Sequence, residues 1–287
     1  MRIAALPPIV SLSLHSPRTE DTQRHKRSAV QDISALTSLG EGIPDGKASW
    51  LVGVARTLTT AREALQCRRE ILEERTRELP NPALRAAWLR DASARVAHRM
   101  RLSVRVRGPV PTGACIVAAN HLSYLDPLAI GQILPLSAVA KSEITGWPAI
   151  GEVLAELGIL FVERGNAYSG AVALRRAIRI VRAGVPLLVF PEGTTTRGED
   201  VLPFSRGAFG LARLMRVPVV PATLRYESSE ACWVGSASLL PHLLKIHRHE
   251  QVRAELTFGP PLEPLAFPDA SSLAAATRQC IRSLILR

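Results

Sequence analysis

The chain has 287 residues, enough for two modest domains or one large α/β domain with a continuous buried core. At 47% hydrophobic and 21% charged it sits in the ordinary globular range, which excludes wholesale disorder and collagen-like repeats. The net charge of +11 is uneven: residues 1–107 hold nineteen basic and eleven acidic side chains, residues 108–287 seventeen and fourteen. That asymmetry suggests an anionic partner for the N-terminal part, although 32 arginines against 4 lysines read equally as the imprint of a GC-rich genome.

No apolar run reaches the length of a spanning helix. Ile3 to Leu14 is the best stretch, and Pro7 and Pro8 break it. It is also too polar for a secretory signal. Residues 1–48 are polar and aperiodic, with a basic cluster Arg24-His25-Lys26-Arg27, and are expected to be a disordered leader. A long helix is predicted from Trp50 to Glu78, because Leu51, Val54, Leu58, Ala61 and Leu65 recur at alternating three- and four-residue steps. Pro80 and Pro82 end it, and a second helix from Pro82 to Met100 follows. Residues 49–101 thus form an N-terminal helical segment. It could bind a membrane surface or pack as a hairpin on the domain behind it.

From residue 102 the pattern changes: Leu102–Arg107 alternates apolar and basic residues, as a half-exposed strand should, and short apolar runs follow at Cys115–Ala119, Ala138–Ala140, Ile159–Val162, Leu187–Phe190, Val217–Leu224 and Ala254–Phe258. Helical segments fall between them near 126–134, 147–157, 169–183 and 206–216, with a last one near 271–286. This alternation predicts an α/β fold over 102–287: a mixed, largely parallel sheet flanked by helices and preceded by the N-terminal helical pair. Four scattered cysteines without a C-x-x-C pair argue against a zinc module or disulfide scaffold. No metal site is expected. His247 and His249 are expected on the surface beside the last strand.

Chemistry concentrates at strand ends. Asn120-His121-Leu122-Ser123-Tyr124-Leu125-Asp126-Pro127 follows a buried strand, at the edge where open α/β sheets place ligands. Asp126-Pro127 reads as a helix N-cap and first turn, which aims the Asp126 side chain back towards His121. A His–carboxylate pair can act as a general base held in one tautomer. Taken alone, the pair is read rather as a simple cap and a hydrogen-bonded loop histidine.

Three further blocks change that balance. N-H-x-x-x-x-D at 120–126 is followed in order by G-x-x-F-V-x-R at 158–164, F-P-E-G-T at 190–194 and V-V-P-A at 219–222. Val139-Ala140-Lys141-Ser142-Glu143 and the 203–209 stretch support the pattern, with Ser205-Arg206 where two basic residues are more usual. Over roughly residues 100–262 the chain resembles the glycerolipid acyltransferases of the 1-acyl-glycerol-3-phosphate acyltransferase type.

That resemblance implies transfer of an acyl group from acyl-CoA or acyl carrier protein to a lysophospholipid hydroxyl, with no cofactor beyond the donor. The first acceptor it implies is 1-acyl-glycerol-3-phosphate, giving phosphatidic acid; lyso-ornithine lipid is the alternative. His121 would be the base and Asp126 its orienting partner. Arg164, Glu192 and Gly193 match positions that hold the acceptor, and a guanidinium suits a phosphate because it binds bidentately. Backbone amides of the Glu192-Gly193-Thr194 turn are candidates for the oxyanion, and Lys141 and Arg197 for added positive potential. Such an enzyme meets an anionic membrane surface peripherally, at the cytoplasmic face, without a spanning helix. A non-catalytic membrane-binding protein is the reading of a different class, yet His121, Asp126 and Glu192 are all retained. Nucleic-acid binding has only charge behind it, with aromatics at 5%. A serine hydrolase lacks its G-x-S-x-G.

Overall fold

A computed structural model describes residues 45–75, 81–146, 150–163, 165–235 and 237–286. The expected leader, up to residue 44, and Arg164 lie outside the described residues. Two helices come first, α1 (Asp45–Arg75) and α2 (Pro82–Arg99). Pro82 enters α2 at its first turn while the Asn81 side chain accepts the Ala83 N–H, a sequence-encoded start. Then follow β1 (Leu102–Arg107), β2 (Ile116–Ala119), α3 (Asp126–Gly131), β3 (Ser137–Lys141), α4 (Ile150–Glu156), β4 (Leu160–Val162) and α5 (Ala167–Arg182). The chain continues with β5 (Leu187–Val189), α6 (Gly207–Met215), β6 (Val219–Tyr226), α7 (Leu239–Arg248), β7 (Val252–Phe258) and α8 (Ala270–Ile285).

The strands form one seven-stranded sheet in the order β1-β7-β6-β2-β5-β3-β4. Only the β6–β7 pairing is antiparallel; the other five are parallel. The mixed, largely parallel α/β sheet is therefore as expected. The central strands β2 and β5 are buried on both faces and appear in the sequence as apolar runs, whereas β1 and β7 alternate more and less buried positions. One face carries Val117, Ala119, Leu188, Ala222, Leu224 and Leu256 and is covered by α1–α4 and α7. The other carries Ile116, Ala118, Leu187, Val189 and Val219 and is covered chiefly by α5, α6 and α8. The strand order brings the carboxyl ends of β2, β3, β4, β5 and β6 to one edge of the sheet.

Helix α7 was not anticipated, although Leu239, Leu240, Leu243, Leu244 and Ile246 recur at helical steps over its ten residues. Its consequence is a correction. His247 is not a surface residue but only 2% exposed, wedged under α1. Thr57 Oγ1 donates to the Gly53 carbonyl, so it accepts from His247 Nδ1 (3.1 Å), which also faces the Leu243 carbonyl at 2.9 Å. Nε2 is left to accept from Thr60 Oγ1 at 3.0 Å, the neutral tautomer. Arg56 closes the contact by donating to the His247 and His249 carbonyls, the open C-terminal end of α7. Against α2, Glu63 bridges Arg95 and Arg99, and Glu70 also holds Arg95.

The helical pair therefore packs on the domain, but not through the face that the leucines suggested. Gly53, Thr57, Thr60, Glu63, Cys67 and Ile71 are buried, whereas Trp50 (55% exposed), Leu58 (65%) and Leu65 (53%) point outwards. Hydrogen bonds to α7 and ion pairs to α2 select the polar stripe. No alternation of apolar residues could reveal that choice.

Burial lowers the pKa of His247, and that of His242 in the same helix. The unfolded chain then binds those protons at higher pH than the folded one, so stability is whole above about pH 6.5 and falls as pH drops below it. The melting temperature is expected to decline between about pH 6.5 and 5, and less steeply in His247→Gln, where the His242 contribution remains. Thermal unfolding of both proteins across this range is the check; parallel slopes would remove His247 from the effect.

Candidate active site

The loop after β2 is held from several elements. Where the main chain leaves the sheet at Ala119, the Asn120 side chain takes over the ladder. Its Oδ1 accepts the Leu224 N–H (2.8 Å) and its Nδ2 donates to the Leu224 carbonyl (3.0 Å) of β6. The His121 N–H donates to Glu192 Oε1 at 2.9 Å, and the His121 carbonyl accepts from the Thr196 N–H at 2.8 Å. The Leu122 carbonyl accepts from the Trp233 N–H. These bonds satisfy three of the loop's backbone groups and leave it little freedom.

Asp126 is the first helical residue of α3 rather than its N-cap, because the helix starts one position earlier than expected from sequence; Leu125 is the N-cap and makes no side-chain bond to the first turn. The outcome for Asp126 is nevertheless the one anticipated: its side chain turns back into the loop. It is fully buried, and Oδ2 accepts from His121 Nδ1 (2.8 Å), the Leu122 N–H (2.6 Å) and the Ser123 N–H (2.9 Å). Its other oxygen, Oδ1, accepts from the Tyr226 hydroxyl at 2.8 Å. A carboxylate that only accepts fixes the proton of neutral His121 on Nδ1 and leaves the lone pair on Nε2. The His121 ring stacks on Phe190 (centroids 4.1 Å apart, planes 17°) and its side chain is 21% exposed. An oriented, partly accessible imidazole of this kind can take a proton from a hydroxyl.

The other predicted residues distribute as follows. Glu192 joins two loops, since Oε1 takes the His121 N–H and Oε2 the Leu202 N–H (2.9 Å). Burial raises its pKa against those two bonds. Gly193 has φ +71°, where a side chain is strained, and its N–H donates to the Phe190 carbonyl. Thr194, in the same turn, is exposed. Lys141 ends β3 and Arg197 follows β5, both exposed. The sequence reading missed Tyr226, and also a cluster formed by Tyr124, Trp233 and His242. In that cluster the Tyr124 hydroxyl lies 3.1 Å from His242 Nδ1, and its ring meets Trp233 edge-on. An aromatic hydroxyl ending a buried strand was the available signal for Tyr226, because such a group needs a partner.

A seven-stranded, largely parallel sheet with a buttressed His–Asp pair in an N-H-x-x-x-x-D loop defines the class. Residues 101–225 match the Acyltransferase domain family. A lyso-ornithine lipid O-acyltransferase of Pseudomonas aeruginosa is 32% identical over 200 residues, covering 68% of this chain and 75% of that protein. A 1-acyl-sn-glycerol-3-phosphate acyltransferase of Neisseria gonorrhoeae is 31% identical over 147 residues, covering 51% and 58%. The crystal structure of the 1-acyl-sn-glycerophosphate acyltransferase from Thermotoga maritima shares the fold, with a TM-score of 0.61 over 85% of this chain and 97% of that one at 21% identity. The chain belongs to the acyltransferase family that includes the lyso-ornithine lipid and 1-acyl-sn-glycerol-3-phosphate enzymes, and it is an acyltransferase of the lysophospholipid type.

Proposed function

We propose that the chain transfers a fatty acyl group from acyl-CoA or acyl carrier protein to the hydroxyl of a lyso-ornithine lipid, with His121 as general base. The observation that carries the chemistry is the hydrogen bond from His121 Nδ1 to Asp126, which leaves Nε2 as the basic nitrogen. Nε2 takes the hydroxyl proton as the oxygen attacks the thioester carbonyl. The tetrahedral intermediate then collapses, the C–S bond breaks, and the imidazolium returns its proton to the departing thiolate. Amides of the Glu192–Thr194 turn are the proposed oxyanion donors, with Gly193 less suited because its N–H is engaged.

The acceptor assignment follows the relatives that this chain covers most fully, which bear the lyso-ornithine name. Transfer to 1-acyl-glycerol-3-phosphate is the second reading, supported by the motif blocks and by the relatives of that name. In either case Arg164 is proposed to meet the acceptor's anionic group, aided by Lys141 and Arg197. Labelled acyl transfer from both donors to a panel of lyso-ornithine lipid, 1-acyl-glycerol-3-phosphate and other lysophospholipids is the test. Label on lyso-ornithine lipid alone is expected. Label on 1-acyl-glycerol-3-phosphate alone would replace that assignment.

No helix among the described residues is long and apolar enough to cross a membrane. The outward face of α1 offers another way to meet the acceptor: Leu51, Leu58 and Leu65 recur every seven residues beside Trp50 and the exposed Arg62. We propose that this face lies on an anionic membrane surface, at the cytoplasmic side where both donors are found. Burying a leucine is worth about 1.5–3 kcal/mol. Leu58→Asn with Leu65→Asn is therefore expected to reduce flotation with anionic liposomes by more than about ten-fold, with the fold unchanged by circular dichroism. Undiminished flotation would move the contact elsewhere.

A further inference from the structure

We propose that Tyr226 is a positioning residue for the general base, holding Asp126 from behind so that its other oxygen serves His121. The kinetic part rests on the acyltransferase reading; the structural part does not.

The two oxygens of Asp126 are used unequally. Oδ2 receives three N–H donors, all from its own loop, whereas Oδ1 receives the Tyr226 hydroxyl from a different strand. Both side chains are buried, so water has little access to replace the bond. Two residues earlier on β6, Leu224 holds Asn120 through both its N–H and its carbonyl. One strand thus grips the catalytic loop at its start, through Asn120, and at its end, through Asp126. Burial, together with the Asp126 charge, pushes the Tyr226 hydroxyl well above its ordinary pKa, so it stays a donor.

The physical consequence has a definite sign. A hydrogen bond to Oδ1 draws carboxylate charge away from Oδ2. Without it, Oδ2 carries more of the charge and binds the His121 imidazolium more tightly. The imidazolium would then give up its proton less readily than in the parent, leaving less free base for the reaction. The other titratable groups facing the pair are Glu192 from the loop after β5, Tyr124 from the loop itself, and Cys232 after β6, with Arg197 acting on Cys232. His242 of α7 meets Tyr124 through Nδ1 and the Glu230 and Cys232 carbonyls through Nε2. All of these are unchanged in Tyr226→Phe, so the difference between parent and variant isolates one hydrogen bond.

The test is an NMR titration of the full chain labelled with ¹³C-histidine, in which the His121 signal is assigned by its loss in His121→Ala. In Tyr226→Phe the His121 midpoint is expected to rise by about half a unit to one unit. The kcat at neutral pH is expected to fall by no more than about ten-fold with both KM values little changed, and the acid limb of the rate profile to move to higher pH. Incorporation of 3-fluorotyrosine, a stronger donor, should lower the midpoint; Tyr124→Phe in that background excludes the neighbouring hydroxyl. This second measurement also covers a Tyr226→Phe that fails to fold. Superimposed titrations in parent and variants would overturn the proposal. A shifted titration in a parent that transfers no acyl group to any acceptor would uphold the positioning role and reject the acyltransferase reading.

Discussion

His121→Ala is expected to abolish acyl transfer while the protein keeps its fold and its liposome binding. General-base action alone is worth on the order of 10²–10⁴-fold, and the Nε2 lone pair has no substitute in alanine. The fold should survive because the loop is held through backbone groups, which alanine retains: the N–H still reaches Glu192 and the carbonyl still accepts from Thr196. The side chain's own loss is its stacking on Phe190 and its bond to Asp126. Initial rates at saturating donor and acceptor, with circular dichroism melts alongside, make the comparison. Turnover near the parent rate would remove His121 from the mechanism.

Asp126→Asn should be nearly as damaging, for a different reason. The asparagine can keep the shape by turning its oxygen to the Leu122, Ser123 and His121 donors and its NH₂ towards Tyr226, whose hydroxyl can rotate to accept. Geometry is then largely preserved, but the negative charge that stabilises the imidazolium is gone. A loss of about 10²–10⁴ in kcat is expected, with KM values for donor and acceptor changing far less. Asp126→Ala should in addition lower the melting temperature, because three buried donors lose their acceptor. Equal KM and kcat effects in Asp126→Asn would point instead to a collapsed loop.

The sheet was legible from two signals, because a strand buried on both faces, as β2 and β5 are, demands a continuous apolar run, and a half-exposed one such as β1 demands alternation; all seven expected segments became strands. Helices with one apolar stripe were legible from their period, though not residue by residue: in α5, Leu174 is 41% exposed rather than buried, Ile178 is partly buried, and Ala173, Ala177, Ile180 and Val181 fill the core. What misled was α1, whose leucines face outwards, and α7, whose arrival under α1 turned a supposed surface histidine into a buried one. Polar interfaces are invisible to periodicity, because threonine, glutamate and histidine resemble solvent-facing residues until their partners are known.

At the site the division is similar. The sequence by itself determined that the pair would meet: a histidine and an aspartate at a spacing that lets a short helix turn the carboxylate back, on a loop following a buried strand. Those are local consequences of chain geometry, and neighbours along the chain carry them. Only the tertiary structure decided which groups hold the pair in place. Glu192 lies 71 residues from His121, and Tyr226 lies 100 residues from Asp126. The sheet order, which sets β6 beside β2 and β5 on its other side, is what brings them within hydrogen-bonding distance. Hydrogen bonds act over about 3 Å, so residues so distant in sequence meet only once the strands are paired.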